Sequence, residues 1–121
     1  MATIKAKAAS LDIEVEAGAT FDTTLTWKDK DGVPVDLTGY SAEMHIRDSV
    51  DSDIILDTLT TANTRLELGD ALGTIRIIIP DSVSTAYTFS GAVYDLEITS
   101  AVLTKRRLFE GSISVIPEVT R

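Results

Sequence analysis

The stretch from Phe21 to Arg47, FDTTLTWKDKDGVPVDLTGYSAEMHIR, constrains the fold more than any other. Phe21, Thr23, Leu25 and Trp27 occupy one side of a period-two pattern, and Asp22, Thr24, Thr26 and Lys28 the other. That alternation belongs to a half-buried strand. Asp31-Gly32 is the strongest short turn signal in the chain. Pro34 cannot donate to a ladder, so no central strand continues through it. Asp36-Leu37-Thr38-Gly39 makes a second turn, because Asp can bond backbone amides two residues on and Gly tolerates positive φ. A second strand starts near Tyr40, with Ala42, Met44 and Ile46 facing one way and Glu43, His45 and Arg47 the other.

The rest of the chain repeats this grammar. Leu11, Ile13 and Val15 alternate with Asp12, Glu14 and Glu16; Ile75, Ile77 and Ile79 share a face; Tyr94, Leu96 and Ile98 oppose Asp95 and Glu97. Ile78, apolar beside them, predicts burial on both sides at that end. Residues 54–60 and 65–68 read as further strands, and 107–119 as the last, with Phe109, Gly111, Ile113 and Val115 on one face. The only helical stretch is Asp81 to Tyr87, with Asp81 as its cap and room for one or two turns. Short strands with turn signals at the spacing of sandwiches predict an all-β fold: an antiparallel, immunoglobulin-like β-sandwich of seven to nine strands and at most one short helix. At 121 residues the chain is read as a single domain spanning 1–121, with an N-terminal arm over residues 1–10. Trp27, Leu25, Met44, Ile46, Ile77, Leu96 and Ile113 are the expected core.

Composition excludes several chemistries. There is no cysteine, so disulfides, thiolate catalysis and cysteine-bound zinc are absent. His45 is the one histidine and sits among charged neighbours on its strand; without a nucleophile and an orienting group it is no general base. Asp48, Asp51 and Asp53 lack the Gly and the distal Glu of a calcium loop. No Gly-x-Ser-x-Gly elbow or phosphate-cradling glycine loop occurs. The expectation is no enzyme, no catalytic residue, no metal and no cofactor. Nineteen acidic against eleven basic residues give a net charge of −8, which repels phosphate backbones and anionic lipid, so neither nucleic acid nor membrane is an expected partner. Lys105-Arg106-Arg107 reads as a solvated turn. Trp27, Tyr40, Tyr94 and Phe109 could line a sugar site, but each lies where a core aromatic belongs.

Four blocks carry a resemblance: TWKDKDGVPVDLTGYSAEMHIR, GTIRIIIP, VYDLEIT and the C-terminal RRLFEGSISVIPEVTR. Together they resemble a group of small virion structural proteins of tailed bacteriophages and prophages, over about Thr20 to Arg121. A more distant similarity, through the DLTG turn, is to the N-terminal domain of phage baseplate upper proteins. The matching positions are Trp27, Gly32, Asp36, Leu37, Thr38, Gly39, Tyr40, Arg47, Tyr94, Asp95, Leu96, Gly111, Pro117 and Arg121, which look like determinants of turns and core. The resemblance implies a non-enzymatic virion component, made in the host bacterial cytoplasm, that assembles with itself as a homo-oligomer and with other phage structural proteins. A tail, neck or baseplate adaptor is the first expectation, a capsid decoration protein the alternative, and a carbohydrate-binding module a remoter one. The expected contact residues are Ile4, Lys5 and Lys7 in the arm, Glu43, His45 and Arg47 on a sheet face, and Pro117 and Arg121 at the C-terminus. From charge alone, duplex DNA should show no retardation in a gel shift at ~0.2 M salt; a stable shifted band would contradict the charge argument.

Overall fold

Period two becomes strand almost wherever it occurs. A computed structural model describes residues 9–119 and shows nine strands among them. They are β1 (Ala9–Ser10), β2 (Ile13–Glu16), β3 (Phe21–Thr26), β4 (Ser41–Arg47), β5 (Ile55–Thr60), β6 (Leu66–Leu68), β7 (Thr74–Ile79), β8 (Gly91–Thr99) and β9 (Lys105–Ile116). One sheet has the order β1-β9-β8-β4-β5, with β2 also on β9; the other is β3-β7-β6. The two pack face to face as an immunoglobulin-like β-sandwich, as the alternation predicts.

The core is what the inward residues of both sheets put together. Val15, Met44, Ile46, Leu59, Leu96 and Ile113 of the larger sheet, and Leu66, Ile75, Ile77 and Ile79 of the smaller, are fully buried. Leu25 and Trp27 are only partly covered, since β3 is an edge strand. Leu37 is a core residue contributed by a loop. The carboxylate of Asp36 accepts hydrogen bonds from the Thr38 amide (3.0 Å) and hydroxyl (2.6 Å), Gly39 takes φ of 81°, and the turn so formed points Leu37 inward.

Several details depart from the sequence reading. The Leu11–Glu16 strand is broken: Leu11 and Asp12 step out between β1 and β2. The Leu11 amide donates to the Glu110 carbonyl (2.9 Å), the Asp12 carboxylate accepts from the Ser112 amide (3.1 Å), and the Tyr94 hydroxyl donates to the Leu11 carbonyl. Gly111 is required there, because a Cβ would run into that carbonyl. Both β1 and β2 run parallel to β9, the one departure from antiparallel pairing, because the turn after Glu16 carries the chain into the opposite sheet. The last strand starts at Lys105, so Lys105-Arg106-Arg107 is strand rather than turn. Its register shifts against β8: Leu96 faces Phe109 while Glu97 faces Arg107, so Leu108 is the extra residue of a bulge and is buried. Pro80, not Asp81, occupies the N-cap of a single helical turn, α1 (Asp81–Ser84), and the Asp81 amide donates to Thr20 Oγ1 (3.2 Å). Ile54 lies outside β5 and is exposed, and Ile78 is half-buried on the outer face rather than buried on both. Of the expected N-terminal arm over residues 1–10, residues 1–8 lie outside the described residues.

Because Leu37 is buried although it belongs to no strand, Leu37→Ala should cost about 2–5 kcal/mol, like a core strand residue. A thermal or urea melt measures this; a loss under about 0.5 kcal/mol, the level of an ordinary surface site, would show that the turn only rests on the core.

Candidate interaction surfaces

Three loops meet at one end of the sandwich. The β3–β4 connection is tied to the β6–β7 turn by the Trp27 amide on the Gly73 carbonyl (2.8 Å) and the Leu37 amide on the Asp70 carbonyl (2.8 Å). Gly73, at φ 67°, is fixed by proximity: a Cβ would lie 2.8 Å from the Val35 carbonyl oxygen and 2.9 Å from that of Trp27. The β8–β9 hairpin is closed by the Ser100 amide on the Thr104 carbonyl (3.0 Å) and the Leu103 amide on the Ser100 carbonyl (2.8 Å). It packs on the first loop at Gly39, where an added Cβ would lie 3.2 Å from Ala101 Cβ. Below the hairpin, the Arg106 guanidinium covers the Trp27 ring at 5.4 Å. This braced end turns apolar side chains outward: Val102 and Leu103 are each 82% exposed, Leu72 69% and Val33 55%. Leu103 holds φ of 62°, a conformation disfavoured for a bulky residue.

The outer face of the larger sheet is a charged field. Glu43 lies opposite Glu97 and His45 opposite Asp95 on β4 and β8. His45 Nε2 and Glu43 Oε2 are 3.1 Å apart. Arg107 reaches Asp95 (3.3 Å) and Glu110 (3.2 Å). Toward the loop end this face dips into a shallow hollow of about 230 Å³ lined by Ser41, Glu43, Thr60, Glu97, Thr99 and Lys105.

Of the residues expected from sequence, Glu43 and His45 do come together on this face. Arg47 instead donates to the Ser52 carbonyl (3.0 Å) and braces the β4–β5 loop. Pro117 is exposed just past β9. Ile4, Lys5, Lys7 and Arg121 lie outside the described residues. Trp27, Tyr40, Tyr94 and Phe109 pack inward, so among the described residues they form no open aromatic platform for a sugar. Asp48, Asp51 and Asp53 belong to no metal-binding cluster among the described residues.

One cluster had no sequence signal, since its members are far apart in the chain. Arg65 donates to both oxygens of Asp57 (3.0 and 2.8 Å) and to the Ile78 carbonyl (3.3 Å), and the Tyr87 hydroxyl donates to Asp57 (2.6 Å). It joins β5 to the start of β6, to β7 and to the segment after α1. Burial pushes the Asp57 pKa up, but the hydrogen bonds from Arg65 and Tyr87 prevail and hold it below the usual carboxylate range. Burial, and then Asp57, push the Tyr87 hydroxyl well above its ordinary value. At Tyr94, burial and then the Asp12 charge push the hydroxyl up to about 12.

No protein-family model and no curated protein matches this sequence. The solved structures include an immunoglobulin-like neighbour described as "photo-crosslinking analyses of multimeric cell-adhesive interactions of VGSC beta subunits". It superposes with a TM-score of 0.51 at 12% identity, over 94% of this chain and 98% of that one. The likeness defines the class: an immunoglobulin-like β-sandwich domain.

Arg65→Ala should destabilise by about 2 kcal/mol, because it strands a largely buried carboxylate. Arg76 bonds two carboxylates, Asp22 (2.6 and 2.9 Å) and Glu67 (2.8 Å), yet its removal should cost less. The Arg65 and Asp57 side chains are each 16% exposed, against 42% and 40% for Arg76 and Asp22. Since the folded Asp57 pKa is lowered, its contribution is complete above the ordinary carboxylate range and is lost as pH falls through the folded value. Melts at neutral and acid pH should therefore show the gap between wild type and Arg65→Ala closing on the acid side; a gap independent of pH would contradict the assignment.

Proposed function

We propose that this chain is a non-enzymatic structural component of a tailed-phage particle, acting through protein–protein assembly as an adaptor of the tail, neck or baseplate. The observation that supports an assembly role best is the loop end. Val33, Leu72, Val102 and Leu103 are exposed on loops that backbone hydrogen bonds hold in place. Leu103 keeps a left-handed backbone where Gly or Asn would sit without strain. Rigid loops that spend apolar side chains on solvent suit a surface that is covered in an assembly. The phage assignment comes from the sequence blocks resembling virion proteins, with DLTG, YDLEI and PEVTR as their centres.

Replacing Val102 and Leu103 together by Asp should leave the fold intact by circular dichroism and sharply reduce incorporation into particles. Full occupancy by the doubly substituted protein would remove the loop end from the interface. Copy number tests the location: about six or twelve per particle fits a cyclic tail assembly, whereas hundreds would move the protein to the capsid.

A further inference from the structure

The sandwich has four sheet edges, and they are not equally guarded. On β5 three of the groups that point away from β4 are capped: Asn63 Oδ1 accepts from the Thr60 amide (2.9 Å), Asn63 Nδ2 donates to the Thr58 carbonyl (3.1 Å), and Asp57 Oδ1 accepts from the Thr58 amide (2.8 Å). The β6 edge is three residues long, and the β1/β2 edge is interrupted at Leu11 and Asp12. Among the described residues only β3 offers an edge of six regular residues with no Pro, no bulge and no cap. The Trp27 amide bonds the Gly73 carbonyl at the next step of the β3–β7 ladder, so Phe21, Thr23 and Leu25 turn their backbone groups to β7. Asp22, Thr24 and Thr26 therefore turn theirs outward, an open row of three donors and three acceptors.

We propose that this row accepts residues 2–8 of a second copy as a fourth, antiparallel strand. That segment, Ala-Thr-Ile-Lys-Ala-Lys-Ala, has the right period. With Thr3 opposite Thr26, Lys5 opposite Thr24 and Lys7 opposite Asp22, the polar side chains share the outer face and Ile4 meets Leu25 on the inner one. The charges complement: on that face Asp22 and Glu67 share the single guanidinium of Arg76, leaving one carboxylate in excess for Lys7 of the partner subunit. A separate chain is needed for geometric reasons. From Glu16 the chain turns over residues 17–20 and climbs β3 only from Phe21 to Thr26, while β1 and β2 descend from Ala9. At ~3.3 Å per residue Ala9 stands level with the far end of β3, so an antiparallel strand that ends beside Asp22 cannot run on into Ala9 of its own chain and comes from another copy. The exchange rests on the assembly reading above, but purified protein suffices to test it, so its failure and the failure of the virion role are seen separately.

The chain has no cysteine, which makes crosslinking clean. A mixture of Thr3→Cys and Thr26→Cys proteins should form a covalent heterodimer under mild oxidation, while Thr3→Cys with Asp22→Cys should give several-fold less. Thr24→Pro removes only an outward amide and leaves the β7 ladder whole; it should abolish the crosslink and shift sedimentation toward monomer without changing the melt. Equal crosslinking in both mixtures, no crosslinking in either, or closure within one molecule of the Thr3→Cys/Thr26→Cys double variant at high dilution would each overturn the exchange.

Discussion

Apolar contact between two sheets holds this molecule together. An immunoglobulin-like sandwich can be stapled across its centre by a disulfide, but this chain has no cysteine. Met44, Ile46 and Leu96 on one side must therefore mesh with Ile75, Ile77 and Leu66 on the other closely enough to leave all six solvent-free. Everything else follows from keeping that contact dry. Leu37 enters from a loop and Leu108 from a bulge, so residues outside the regular strand pattern also complete the core. The Asp57–Arg65–Tyr87 cluster closes one flank with polar groups that satisfy one another, and no buried side-chain polar atom among the described residues lacks a partner.

Polar surfaces divide by how firmly they are engaged. The outer face of the larger sheet carries charges at strand spacing, many of them in pairs that water screens. The loop end is different in kind: its backbone is cross-tied, its side chains are apolar, and one of them sits on a strained residue. Strain and exposure coincide at this one end.

The architecture was legible because period two survives in nearly every strand, and the buried residues Met44, Ile46, Ile77, Leu96 and Ile113 are those that alternation selects. What sequence missed are features decided between distant segments. Nothing near Asp57 announces Arg65 or Tyr87. Leu108 sits beside Phe109, so alternation can bury only one of them, and the register shift against β8 brings both inward. Leu11 shows the apolar alternation of Ile13 and Val15 yet interrupts the strand, because the Tyr94 hydroxyl claims its carbonyl. Of the residues that alternation puts on the outer face of β4, Glu43 and His45 meet each other, while the Arg47 guanidinium turns to a carbonyl five residues on along the chain.

The parallel seam of β1 and β2 against β9 has a mechanical meaning. These are the first and last of the described strands, paired from Ala9–Phe109 to Glu16–Ile116. Because they run the same way, tension applied between the two ends of the chain pulls them past each other along their length. Such a load falls on all the seam's hydrogen bonds at once, instead of opening them one at a time as peeling would. A domain carrying force from end to end would yield last along that seam, and the Tyr94–Leu11 and Ser112–Asp12 bonds bridge the break in its middle.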